Sequence, residues 1–234
     1  MPVVLNFHGR GSSGAAIEQD SGFIPVSDRE GFLLVSPDGT GTPAGWGAGA
    51  SMPSWQVDDV QFGRDLIASL EKDYCVDSAR IYATGHSNGA FMAARLACSL
   101  PGRIAAIAPV AGVHVPAEGC AGPVPVLAFH GAADTVVPFR GGTVREVYRY
   151  AGVEQEVARW AAVNACTGNA TSIELSPALA LQEWHGCRAT VELYVVANGT
   201  HAWPQLPQAL GVANGPSTAQ VIWDFFKGQS SPGG

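Results

Sequence analysis

Lysine is nearly missing from this sequence: Lys72 and Lys227 are the only two, and charged residues make up 14% of its 234 positions. The formal net charge is −7. No segment carries a basic stripe, so a phosphate backbone finds nothing to displace its counter-ions, and nucleic acid is excluded as a partner. Long apolar runs are also absent. The longest weakly polar stretch, 104–115, contains Pro109, Gly112 and His114 and is too short to span a bilayer, so no membrane role is expected. The first residues show neither a charged leader region nor an apolar cleavage-type segment, since Met1-Pro2 runs directly into Val3-Val4-Leu5-Asn6-Phe7. The chain therefore reads as a cytosolic product or as a form without its secretion signal. Its five cysteines lean toward an oxidising compartment, and an odd count leaves at least one thiol unpaired if all bridges are internal.

What is plentiful is apolar and small: 47% hydrophobic residues, 29 glycines and 16 prolines. That composition suits a compact, loop-rich protein with a sizeable core, expected as one domain over 1–234. Buried-strand patterns fall at 2–7, 32–36, 81–84, 104–110, 124–129 and 191–196. Helical patterns fall within 15–30, from Asp58-Asp59 through Glu71, and at 90–100, 153–165 and 217–227. Acidic residues at the start of the second of these suit the helix dipole. The stretch 171–184 alternates irregularly, as a two-stranded ribbon would, and 40–56 is a long Gly/Ala/Pro/Ser-rich loop. Strands alternating with helices predict an α/β fold, a mostly parallel sheet covered on both faces.

One stretch organises the rest. Ile81 to Thr84 reads as a strand and Ala90 to Leu100 as a helix, with Gly85-His86-Ser87-Asn88-Gly89 between them. A G-x-S-x-G turn joining strand to helix must be very tight. The glycines remove side chains that would collide, and the strained central residue is held above the sheet at a helix N-terminus. Ser87 is thus a candidate nucleophile, and a serine hydroxyl needs a base and a group to orient that base. Asp134 follows the strand ending at Phe129, and His201 follows the last strand. The order serine, acid, histidine and the shared carboxyl edge of the sheet make Asp134 the expected acid and His201 the expected base. Asp38 is a rival acid that precedes the nucleophile.

An acyl-transfer site also needs N–H donors for the oxyanion. These are expected from Asn88 at the helix start and from Arg10 or Gly11 in the Gly-rich loop after the first strand. His86 is expected to line the pocket, His8 and His130 to make strand-end hydrogen bonds, and His114 and His185 to lie on the surface. The repeated F-H-G at Phe7 and Phe129 reads as two parallel strands that each need a glycine where they turn. Several histidines near one edge raise a metal site, but no H-E-x-x-H pair supports it; no metal and no cofactor is expected.

Taken together, H-G-x-G-x-S, D-D-V-x-F near Asp58, G-H-S-N-G-A, P-V-L-A-F-H-G-A-A-D-T-V-V-P-F and G-x-H-A-W-P resemble the polyhydroxybutyrate depolymerase/feruloyl esterase branch of the α/β-hydrolases, similar to carbohydrate esterase family 1. The resemblance runs from Val3 to about Lys227. It implies a secreted serine esterase with Ser87, Asp134 and His201 as its triad, acting on feruloyl, acetyl or aryl esters of plant polysaccharide, or on polyhydroxyalkanoate. The ester substrate, polymeric ones included, is then the implied partner. A carbohydrate-binding protein that merely keeps the fold is the alternative outside enzymology, and a serine peptidase the alternative within it.

Relatives usually carry two strands before the one ending in H-G, and here the chain begins at that strand. The expected sheet therefore lacks its first two strands and has a bare edge through which a homo-oligomer could pair. Only 111–123 separates two strands where other members insert a lid, so no lid domain and an open site are expected. Trp46, Trp55 and Trp203 lie in loops at the catalytic edge, either as flat surfaces for an aromatic acyl group or sugar ring or as packing for those loops. Topology favours a Cys166–Cys187 bridge, with Cys98 pairing to Cys120 or Cys75.

Overall fold

The structure is a computed structural model that describes residues 1–48, 57–144 and 148–231. Trp55 therefore lies outside the described residues. The chain opens with strand β1 (Val3–Phe7), helices α1 (Gly14–Ser21) and α2 (Ile24–Glu30), strand β2 (Leu33–Val35) and helix α3 (Asp59–Asp73). Strand β3 (Ile81–His86), helix α4 (Asn88–Ser99), and strands β4 (Ala106–Val110) and β5 (Val126–Gly131) follow. Next come a hairpin of β6 (Gly142–Val144) and β7 (Tyr148–Tyr150), helix α5 (Val153–Val163), and strands β8 (Thr171–Ser176), β9 (Leu179–Glu183) and β10 (Val191–Val196). Helices α6 (Leu206–Leu210) and α7 (Thr218–Phe226) complete the described chain.

Eight strands form one sheet in the order β2-β1-β3-β4-β5-β10-β9-β8. The first six run parallel, and β9 and β8 are antiparallel additions beside β10. The alternation of side chains along β1 assigns the two layers. Val3, Leu5 and Phe7 face the core shared with α3, α4 and α5, whereas Val4 faces the one shared with α1, α2, α6 and α7. Helix α4 is buried on nearly all sides, and burial of Met92 and Leu96 contributes roughly 1.5–3 kcal/mol each.

Several local expectations are refined. The helical pattern in 15–30 is two helices, because Gly22 adopts a left-handed φ of 69° that ends the first. The ribbon at 171–184 is not separate but extends the main sheet through β9. One edge of the sheet is β2, while β1 is interior. The other edge, β8, exposes Ile173 and Leu175. Helix α3 starts as its sequence demands: the Asp58 carboxylate caps the N–H groups of Val60 and Gln61. Residues 111–123 contain no helix or strand, so no lid stands over the sheet there. Among the described residues no helix is long and apolar enough to cross a membrane.

Two disulfides are present, Cys98–Cys120 and Cys166–Cys187, and Cys75 is free and exposed. The choice left open for Cys98 is settled for Cys120, which topology carries to the same end of the sheet.

Candidate active site

Ser87 occupies the turn between β3 and α4 with φ 56° and ψ −116°, a conformation costly for any residue with a Cβ. Its surroundings leave no other path. A Cβ on Gly85 would stand 2.5 Å from the Phe7 carbonyl oxygen, and one on Gly89 would run into the backbone of Phe7 and His8. A Cβ on Gly112, past the end of β4, would stand 2.5 Å from the Ser87 carbonyl oxygen. The Ser87 N–H donates to the Val110 oxygen at 2.9 Å, which ties the turn to β4.

The three residues expected to meet do meet. His201 Nε2 lies 2.9 Å from Ser87 Oγ, and His201 Nδ1 lies 2.7 Å from Asp134 Oδ2. With Asp134 ionised, Nδ1 carries the proton and donates it to the carboxylate, so Nε2 is left to accept from the serine hydroxyl. Asp134 itself is 4% exposed. Its Oδ1 accepts from the Val136 and Val137 N–H groups at 2.8 and 3.0 Å. Burial alone would raise its pKa, but hydrogen bonds from His130 and His201, with the Val137 amide, hold the carboxyl well below the usual range.

His130 makes the strand-end hydrogen bond expected of it and, beyond that expectation, also reaches Asp134. Its Nε2 sits 2.9 Å from the Val137 oxygen and 3.2 Å from Asp134 Oδ2. Both neighbours are acceptors, so Nε2 must carry the proton. The F-H-G repeat was the available signal, and its glycine is accounted for: a Cβ on Gly131 would run into the Gly199 carbonyl. His8 closes the other F-H-G. Its Nε2 accepts from the Gly39 N–H at 2.8 Å and its Nδ1 donates to the Gly9 oxygen at 2.7 Å.

The oxyanion expectations divide. Asn88 is the first residue of α4, where the backbone N–H has no earlier turn to bond to. The Gly11 N–H, by contrast, is already committed to the Ala44 oxygen at 2.6 Å, so Gly11 is corrected out of the donor set, and Arg10 is the remaining candidate from that loop. The Asn88 side chain does something the sequence did not reveal. Its Oδ1 accepts from the Trp46 N–H at 2.7 Å and its Nδ2 donates to the Trp46 oxygen at 3.0 Å, a two-way clamp on that loop.

Trp46 is also corrected. It is 1% exposed, its Nε1 donates to the His8 oxygen at 2.9 Å, and its ring packs on Phe7, His8 and Phe62. It presents no face to a ligand, because the indole is packed into the core. Trp203 is likewise 8% exposed and packs edge-on against Phe23. It lines a cavity of about 410 Å³ whose walls include neither Ser87 nor His201. Asp38 is not a rival acid here, since its carboxylate accepts from the Gly14 N–H at the start of α1. His114 is buried rather than on the surface, with Nδ1 3.1 Å from the Tyr148 hydroxyl and 3.4 Å from Glu156 Oε2, because the loop after β4 tucks under α5 and the β6–β7 hairpin. His185 is exposed as expected. His86 lies between Gly9 and His201, its ring 4.8 Å from that of His201. Among the described residues no group of three or more His, Cys, Asp or Glu is placed to hold a metal ion.

Feruloyl esterase B of Piromyces equi is 30% identical over 99% of this chain, which spans 42% of that protein's length. A probable feruloyl esterase C of Aspergillus flavus is 26% identical over 96% of this chain and 77% of its own. The acetyl xylan esterase structure from Aspergillus awamori superposes with a TM-score of 0.67 at 15% identity, covering 90% of this chain and 88% of that one, a likeness of fold. Residues 1–157 match the phospholipase/carboxylesterase family, and this chain, with its parallel sheet and serine turn, is a member of that family of α/β-hydrolases.

Proposed function

We propose that this protein is a serine carboxylic-ester hydrolase of the feruloyl/acetyl ester type, with Ser87 as nucleophile, His201 as general base and Asp134 as the acid that orients it. The observation that carries the reading is the unbroken relay from Ser87 Oγ through the His201 ring to Asp134, at 2.9 and 2.7 Å. In the first half-reaction Oγ attacks the ester carbonyl while His201 Nε2 takes its proton. The oxyanion rests on the Asn88 and Arg10 N–H groups, and the imidazolium then protonates the departing alcohol. Water repeats the sequence on the acyl-enzyme, giving the free acid and restoring Ser87.

A substrate class of bulky or aromatic esters, polysaccharide-borne ones included, is supported by the names of the relatives and by the absence of a lid over 111–123. The two disulfides favour an oxidising, extracellular setting. A homo-oligomer would pair through an exposed sheet edge, of which β2 stands on the side expected from the sequence and β8 on the other, and light scattering on the eluting protein measures it.

The test is a panel of methyl ferulate, acetylated xylan and polyhydroxybutyrate, run on the parent and on Ser87→Ala. We expect turnover of the first two by the parent and a loss of roughly 10⁵–10⁶-fold in the variant. Preference for the polyester would move the substrate class, and activity retained by Ser87→Ala would overturn the mechanism.

A further inference from the structure

Among the groups at the site that the reaction leaves unused, His86 is the most constrained. It ends β3, immediately before Ser87, and its ring lies against that of His201 with centroids 4.8 Å apart and planes inclined at 49°. On another side is the loop after β1: a Cβ on Gly9 would stand 3.2 Å from His86 Nδ1, so the loop approaches the ring this closely because residue 9 has no side chain. His86 Nε2 is buried and has no hydrogen-bond partner among the described residues. Leaving such a nitrogen unpaired is unfavourable, and an apolar ring of the same outline would carry no such penalty.

We propose that His86 is a positioning residue, a flat wedge between the oxyanion loop at Gly9 and the His201 ring that keeps His201 on the line from Asp134 to Ser87. The inference rests on the esterase reading and adds to it how the base is held. The two hydrogen bonds of His201 and its Cβ tether set the plane of the ring, but both bonds can lengthen if the side chain swings about χ1 and χ2, and what packs against it limits that swing. The His201 side chain is 17% exposed, so solvent reaches part of it, and His86 supplies a solid neighbour.

The wedge also stays uncharged beside a base that must gain a proton. Burial pushes the His86 pKa down to about 4; positive charge on His201 and His130 acts in the same direction, and Asp134 opposes it. His86 therefore adds no second cation next to the imidazolium that forms as Ser87 attacks.

The experiment compares the purified parent with His86→Ala and His86→Phe, measuring kcat and KM on methyl ferulate and the rate at which a fluorophosphonate labels Ser87. Removing the wedge should lower kcat and the labelling rate together by about 10–100-fold, the scale of a small misalignment, with KM within about threefold. Phe, a flat ring of similar outline, should restore both rates to within about threefold of the parent. If His86→Ala fails to fold, His86→Asn takes its place as the truncated variant with the same expectation. Parental rates in the truncated variant would overturn the proposal, as would Phe being as slow as Ala. A raised KM at parental kcat would make His86 a substrate contact and overturn it as well. If the parent itself is not labelled at Ser87, the esterase reading and the wedge fail together, whereas a labelled parent with an unimpaired truncated variant sinks the wedge alone.

Discussion

Gly131 and Gly199 meet backbone to backbone, with no room for a side chain between them. The contact is stitched by two hydrogen bonds of 2.9 Å, Ala132 N–H to the Val196 oxygen and Ala133 N–H to the Gly199 oxygen. It fastens the turn carrying Asp134 to the turn carrying His201, and so makes a relay out of residues 67 positions apart. Gly131→Ala should force the two turns apart. We expect a loss of about 2–4 kcal/mol in urea unfolding, the range for core overpacking and backbone strain, together with a fall in kcat. Parental stability would show that the turns can separate without cost.

Asp134→Asn should keep the fold and lose the chemistry. The remaining carbonyl oxygen can still accept from Val136 and Val137, but an amide nitrogen in place of Oδ2 would face two donors, His201 Nδ1 and His130 Nε2. His201 would then have to turn or change tautomer, and kcat should fall by about 10⁴. Circular dichroism and kcat on the same preparation check both halves of this expectation.

Asn88→Ala removes both bonds of the clamp on Trp46 while leaving the Asn88 backbone N–H in place. Two buried backbone groups of Trp46 lose their partners, at a cost of about 1–3 kcal/mol for each group left unsatisfied. The melting temperature should therefore fall, and the activity loss should be smaller than that of Ser87→Ala, because the backbone N–H proposed to hold the oxyanion survives.

The parent should lose stability on acidification in a way that His86→Phe does not. The folded pKa of His86, about 4, lies below the ordinary histidine value of about 6.5, so the unfolded chain binds the extra proton first. Its contribution is intact above about 6.5 and is lost as pH falls toward 4, amounting to about 2 kcal/mol at pH 5. Unfolding curves at pH 7 and pH 5 for both proteins measure the difference, and the other titrating groups cancel in the comparison. Asp134, with its depressed pKa, adds a further loss only below the ordinary carboxylate range.

The serine turn was legible because its causes are local. Two glycines, a strand before and a helix after already imply the strained φ of Ser87, and the backbone carbonyls that would meet any Cβ are those of the adjacent strand. The order of Asp134 and His201 was legible for a related reason, since in a parallel sheet each strand end leads to the same edge. The tryptophans were not. Whether an indole in a Gly-rich loop faces solvent or core depends on what the loop covers, and for Trp46 that is Phe7, Phe62 and the side chain of Asn88, 42 residues away. Gly11 failed in the same way: its amide is consumed by Ala44, a partner that no spacing rule supplies.

The amino-acid sequence by itself determined the alternation of strands and helices, the elbow at Ser87 and the chain order of its partners, because these follow from short-range sterics and from side-chain periodicity. Only the tertiary structure decided that β8 and β9 widen the sheet, that Cys98 joins Cys120, that Trp46 is core, and that His86 and His130 flank the relay. Those outcomes depend on which distant surfaces come to share one space, and a backbone amide or an aromatic ring carries no local mark of the neighbour it will meet.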